Sequence, residues 1–235
     1  MIFQPQFNFP KRIFAISPTK YQFRYNFCGG YPYTVVMSSE FTPRVIAICG
    51  SLRDASRTRV ALHEALAAAE EAGATTTLVD LRDYELPCLK AEEGEASDAK
   101  MLRETVEQAD SVLLGTPNYH GSYSGALKNA LDYCGRDEFE ETTVGLLEVA
   151  AGDFAGSALM HLRTVSRTLR AWTLPIEVAI PDSHTLVGDT RIKDHDIAER
   201  THRLGRALTR YAGVADYPKK CTQTPVRDTK QETTH

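Results

Sequence analysis

Three loops hold the residues best suited to chemistry. The first is Gly50-Ser51-Leu52-Arg53-Asp54-Ala55-Ser56-Arg57-Thr58. Gly50 lets the backbone turn sharply, and a helix beginning near Ser56 directs its first free N–H groups outward. Ser51, Ser56 and Thr58 add hydroxyl donors, while Arg53, with Arg57 beside it, adds a charged fork. Such a set suits a phosphate cradle. The same residues also allow a plainer reading, with Ser56 as helix N-cap and the arginines as solvated charges. The loop lacks the Gly-Lys-Ser/Thr ending of a Walker A motif and the glycine spacing of G-x-G-x-x-G, so the common nucleotide fingerprints are absent.

The second loop, Gly115-Thr116-Pro117-Asn118-Tyr119-His120-Gly121-Ser122-Tyr123-Ser124-Gly125, brings glycines, two tyrosines and a histidine together. Backbone groups there can approach a ligand closely, and Tyr119 can lie against a flat ring. His120 is a candidate general acid or base, but no suitably spaced serine or cysteine announces a nucleophile. A glycine-rich turn whose tyrosines cover a helix start is the alternative. The third loop, Ala151-Gly152-Asp153-Phe154, is permissive for a ligand, and Asp153 is placed to cap the helix that follows.

Each loop needs a strand to carry it. Val45–Cys49 is a run of five apolar residues, as in a strand covered on both faces. Leu62, Ala65, Leu66 and Ala69 then recur at helical spacing, and Gly73 marks that helix's end. Further strands are expected over 75–81, 112–115, 142–150 and 174–180, alternating with helices from about Ser97, over 124–134, 156–172 and 194–212. This alternation predicts an α/β fold: a single domain with a doubly wound, five-stranded parallel sheet and helices on both faces. The three loops then fall at the carboxyl ends of strands one, three and four, where ligands bind in such folds.

Residues 1–36 differ from the rest. They hold ten of the chain's twenty aromatics, four basic residues and no acid, broken by four prolines, with no periodic pattern. They lack the apolar centre of a secretory signal and the composition of a transit peptide. We expect an extension outside the domain, the domain itself spanning 37–214 and a polar tail 215–235. An aromatic-basic arm for single-stranded nucleic acid is the sharper alternative for the extension. The middle of the chain carries −9 of the net −4, which argues against nucleic-acid binding by the core. No run approaches the ~18 apolar residues of a membrane span. Five scattered cysteines without C-x-x-C spacing read as free thiols of a reducing cytoplasm and not as a metal site.

The pair of motifs G-S-x-R-x-x-S-x-T after strand one and T-P-N-Y-H-G-S-Y-S-G-A-L-K-N-A-L-D-Y after strand three resembles the NAD(P)H-dependent FMN reductases. These are flavodoxin-like proteins that include quinone, azo-dye and chromate reductases, and the resemblance spans about 44–212. It implies FMN as cofactor and NADPH or NADH as reductant, with electrons passing to a flavin, quinone or similar flat small molecule. It implies that Ser51, Arg53, Ser56 and Thr58 hold the FMN phosphate, although asparagine is frequent at the place of Thr58. Pro117, Asn118, Tyr119, His120 and Gly121 would border the flavin ring, largely through backbone, with Gly152 and Asp153 on its other side. Asn118 and His120 stand where glutamate and asparagine are common. The resemblance further implies a homodimer or homotetramer in which Tyr84 and Leu86 approach a partner's site. No side-chain base is required, so no catalytic residue is assigned and His120 stays a tuning candidate. Rival readings are an electron carrier, a flavin-binding regulator and, further off, a Ser/His hydrolase. Deleting residues 1–36 is expected to leave flavin content unchanged in the visible spectrum; loss of folding or of flavin would place them in the domain.

Overall fold

The computed structural model describes residues 41–90 and 97–213. The extension 1–36, the acidic run 92–95 and the tail 215–235 lie outside the described residues. In chain order the elements are β1 (Arg44–Cys49), α1 (Arg57–Glu71), β2 (Thr75–Asp80) with a 3₁₀ turn at Leu81–Asp83, α2 (Ser97–Glu107) and β3 (Ser111–Pro117). Then come α3 (Gly125–Tyr133), α4 (Arg136–Phe139), β4 (Thr143–Val149), α5 (Ser157–Thr168), β5 (Trp172–Ile180), α6 (Ser183–Leu186) and α7 (His195–Arg210).

All strand pairs are parallel, and their order is β2-β1-β3-β4-β5. The alternation of strand and helix predicted a doubly wound parallel sheet, and the observed order is the flavodoxin-like one that the family resemblance implied, with the direction of winding reversing between β1 and β3. The strands' alternation divides the core between two faces. Val45, Ala47, Cys49, Leu113, Leu147 and Val149 face α1 and α7. Ile46, Ile48, Val112, Leu114, Val144 and Leu146 face α2, α3 and α5. β1 and β3 are thus apolar along their length because both of their faces are covered. Each valine, leucine or isoleucine among them contributes roughly 1.5–3 kcal/mol when fully buried.

Differences from expectation lie at element ends. The helix expected to run to Trp172 stops at Thr168. There Arg170 adopts φ +62° and the Ala171 amide reaches back to the Ser166 carbonyl at 3.0 Å, the six-to-one bond of a Schellman ending. β5 therefore begins at Trp172 and not at Leu174, with exposed Pro175 inside a bulge of this edge strand. α1 ends in the same way, but there Gly73 takes the positive φ (+99°), with Ala74 bonded to Ala69. The single turns α4 and α6 were not expected.

α1 and α7 cross in close contact because Gly205 faces Ala65 and Ala68. A Cβ at Gly205 would sit 2.0 Å from the Ala65 carbonyl oxygen, which is backbone and cannot swing aside. We expect Gly205→Ala to lower the unfolding free energy by about 1–3 kcal/mol or more, read from the urea midpoint; an unchanged midpoint would contradict this packing.

Candidate functional site

The loop after β1 is shaped by one guanidinium. Arg59 donates to the carbonyls of Asp54 (3.0 Å), Arg53 (3.2 Å) and Ser51 (3.5 Å), while its Nε donates to Asp80 at 2.7 Å. Asp80 stands at the end of β2 beside Cys49 and also accepts from Arg82, which reaches on to Asp54. With the carbonyls drawn to Arg59, the amides of Leu52 to Thr58 find no acceptor among the described residues. Ser56 caps α1 by accepting from the Arg59 amide at 3.1 Å.

The remaining groups fit an anion. Ser51 and Thr58 are only 3% and 2% exposed as residues, and no hydrogen bond joins either hydroxyl to the described residues; the one sealed-off side-chain atom without a partner among them is Ser166 Oγ, elsewhere in the fold. Arg53 is exposed and makes no ion pair among the described residues. A row of free amides at a helix start, two hydroxyls and a cation are the donor set a phosphate ester requires. Sequence reading named Ser51, Arg53, Ser56 and Thr58 but missed Arg59 and Asp80. An acid directly after Leu78 and Val79, at the end of the strand, was the available signal for Asp80.

The second loop adjoins the first at the reversal point between β1 and β3. The Gly50 amide donates to the Gly115 carbonyl at 2.8 Å, and Ser124 donates its hydroxyl to the Gly50 carbonyl at 2.6 Å. A Cβ at Gly50 would meet Leu127 Cβ and Ser124 Oγ at 2.9 Å, so this approach needs glycine. Ser124 also caps α3, accepting from Leu127.

Beyond Pro117, Tyr119 and Ser122 exchange both backbone hydrogen bonds (2.9 and 3.0 Å) around His120 (φ +53°) and Gly121 (φ +77°). Positive φ at both central residues makes this a type I′ turn. Tyr119 and His120 are exposed at its tip. Asn118 faces inward: its Oδ1 accepts from the Gly121 amide at 3.0 Å, and its Nδ2 donates to Glu148 at 2.5 Å and to Ser157 at 3.2 Å. Ser122 Oγ and His161 Nδ1 lie 3.0 Å apart, linking the turn to α5.

Glu148 is fully buried in β4 and was also missed. It accepts from the amides of Gly156 (3.0 Å) and Leu159 (3.2 Å), the first free donors of α5. This is the role expected of Asp153. Gly156 holds the cap position at φ +114°, and a carboxylate from the strand below satisfies the helix in place of the loop aspartate. Gly152 and Asp153 are exposed, and open space surrounds the Cβ position of Gly152. Tyr84 and Leu86, expected near a partner's site, pack partly buried against this chain's own core.

Electrostatics separates the structural acids and thiols from reactive ones. Burial alone would raise the Asp80 carboxyl, but hydrogen bonds from Arg82 and Arg59 outweigh it and hold the group at about 2. Burial pushes the Cys49 thiol up, so it stays protonated and offers no thiolate nucleophile at the loop.

Three comparisons show what the chain is similar to. Residues 43–185 match the sequence model of a family described as NADPH-dependent FMN reductase. The FMN-dependent NADPH-azoreductase of Staphylococcus aureus (strain NCTC 8325 / PS 47) is 46% identical over 84 residues, 36% of this chain and 45% of the relative. The aligned part thus spans under half the length of the curated relatives it matches. Among solved structures, an apo NADH:FMN oxidoreductase aligns with TM-score 0.62 and 20% identity, over 73% of this chain and 90% of that one. The NAD(P)H:(acceptor) oxidoreductase FerB of Paracoccus denitrificans aligns with TM-score 0.62 and 21% identity, over 74% and 99%. At these identities the structural likeness speaks to the fold.

Because Asp80 titrates below its ordinary value, its contribution to stability is full above about pH 5 and is lost as the pH falls through 2. Asp80→Asn is therefore expected to lower the unfolding free energy by about 2 kcal/mol at pH 7, with the gap to the unsubstituted protein closing below pH 4. Urea titrations across that range read it; a gap independent of pH would contradict the charge pairing.

Proposed function

The chain belongs to the family of NADPH-dependent FMN reductases, and on that footing we propose that it is an FMN-dependent oxidoreductase drawing its electrons from NADPH or NADH. The acceptor in this reading is a flat small molecule such as a quinone, a free flavin or an azo compound. The observation that carries it is the loop after β1: free amides from Leu52 to Thr58, flanked by the unpartnered hydroxyls of Ser51 and Thr58. Bound FMN supplies hydride acceptance and onward electron transfer. The chain's own residues bind and orient it. Ser51, Arg53, Ser56 and Thr58 hold the phosphate, with Arg59 and Asp80 keeping the loop carbonyls turned away from it. Pro117, Asn118, Tyr119, His120 and Gly121 border the ring through backbone, and Gly152 and Asp153 line its other side.

This reading includes a domain of 37–214, a reducing cytoplasmic setting and a homodimer or homotetramer. Cys49, Cys88 and Cys134 are free thiols, in keeping with the compartment. Phe154 and Met160, 71% and 63% exposed where β4 gives way to α5, supply apolar surface for a second copy to cover. Among the described residues no helix is long and apolar enough to cross a membrane.

Two measurements test the reading. Protein loaded with FMN and freed of excess should keep its flavin bands, and anaerobic NADPH or NADH should bleach them; retained bands that neither reductant bleaches would contradict a reductase. Arg53→Ala should weaken FMN binding about tenfold or more, the loss of one charge-assisted contact. Unchanged affinity would remove Arg53 from the cradle.

A further inference from the structure

Glu148 is the group whose position demands an explanation. It lies in the second strand from the sheet edge, pairs in register with Thr116 of β3, and is 0% exposed. A carboxylate there costs several kcal/mol unless its oxygens are satisfied, and the structure satisfies them with donors alone. Oε1 accepts from the Asn118 side chain at 2.5 Å, and Oε2 accepts from the Gly156 and Leu159 amides at 3.0 and 3.2 Å. The donors come from two separate pieces of chain: the turn after β3 and the start of α5.

Asn118 extends the constraint. Its Nδ2 is spent on Glu148 and Ser157, which leaves Oδ1 facing the Gly121 amide, the hydrogen bond that closes the turn from inside. The orientation of the Asn118 amide is thus set by the acceptor Glu148, and the Tyr119–Ser122 turn follows that orientation. No other acidic side chain among the described residues hydrogen-bonds to this turn.

We propose that Glu148 is a positioning residue for the ring-facing turn: through Asn118 it locks Tyr119–Ser122 against the start of α5 and so sets how tightly FMN is held. The proposal rests on the FMN reading above, but the lock exists in the unliganded protein and is measurable there.

The polarity of the Asn118–Glu148 bond supplies the test. In Glu148→Gln, the new amide nitrogen must face either the Asn118 NH2 or the two backbone amides, and both are donors. In Asn118→Asp, two carboxylates confront each other. In the double variant N118D/E148Q the glutamine nitrogen donates to the new aspartate, while its oxygen still accepts from Gly156 and Leu159. Each single substitution should weaken FMN binding at least tenfold by flavin-fluorescence titration and speed hydrogen exchange at the Gly121 amide. The double variant should return to within about threefold of the unsubstituted protein in both. Single variants that match the unsubstituted protein, or a double variant no better than the worse single, would overturn the proposal. Should a single variant fail to fold, recovery of the urea midpoint in the double supports the lock, and failure of both counts against it. An unsubstituted protein that binds no FMN would remove the cofactor reading, while Gly121 exchange in the unliganded variants would still decide the lock.

Discussion

The Arg59–Asp80 pair is the interaction on which the site depends. A loop of small polar residues after a strand has no inherent reason to present amides in one direction, since each peptide carries an acceptor as well as a donor. Arg59 resolves this by gathering the carbonyls of Ser51, Arg53 and Asp54 onto one guanidinium. That cation is held in turn by an acid from the neighbouring strand, at a depth of burial where neither charge is tolerated alone. The consequence is a concave row of donors at the start of α1, reinforced by the helix dipole. The placement of the loop's acceptors leaves its amides free for an anion, beside the side chains of Arg53 and Arg57.

Topology supplies the second requirement of the proposed reading, a place for a ring next to the phosphate loop. Because the winding reverses between β1 and β3, their following loops diverge to opposite faces and leave a crevice above the sheet. Gly50 lets the two loops begin in contact, and the bond from Ser124 fixes their separation. β4 then contributes through Glu148, which joins the turn after β3 to α5. The loop after β1 and the turn after β3 are therefore each organised by a buried acid reached from a different strand, Asp80 from β2 and Glu148 from β4.

Much of this was legible in the sequence, and the limits have physical causes. The parallel sheet followed from apolar runs alternating with helical periods, and the family from two loop motifs at the right separation. The end of α1 could be read because Gly73 takes the left-handed position that glycine favours. The end of α5 could not, since Arg170 occupies the equivalent position and gives no compositional sign. The residues that contact a ligand directly in our reading lie in contiguous motifs, which a sequence displays directly. The Arg59–Asp80 and Asn118–Glu148 contacts span 21 and 30 residues of chain and depend on sheet register, which a local motif does not display. A lone glutamate inside Leu146-Leu147-Glu148-Val149 and an aspartate closing Leu78-Val79-Asp80 were the traces they left.

The central claim is that the loop after β1 recognises the phosphate of FMN. Calorimetric titration of the unliganded protein with FMN and with riboflavin, which differ only by that phosphate, tests it most directly. The account predicts that FMN binds at least tenfold more tightly and that inorganic phosphate weakens FMN binding while leaving riboflavin binding unchanged. Equal affinities for the two flavins, with no effect of phosphate on either, would contradict it.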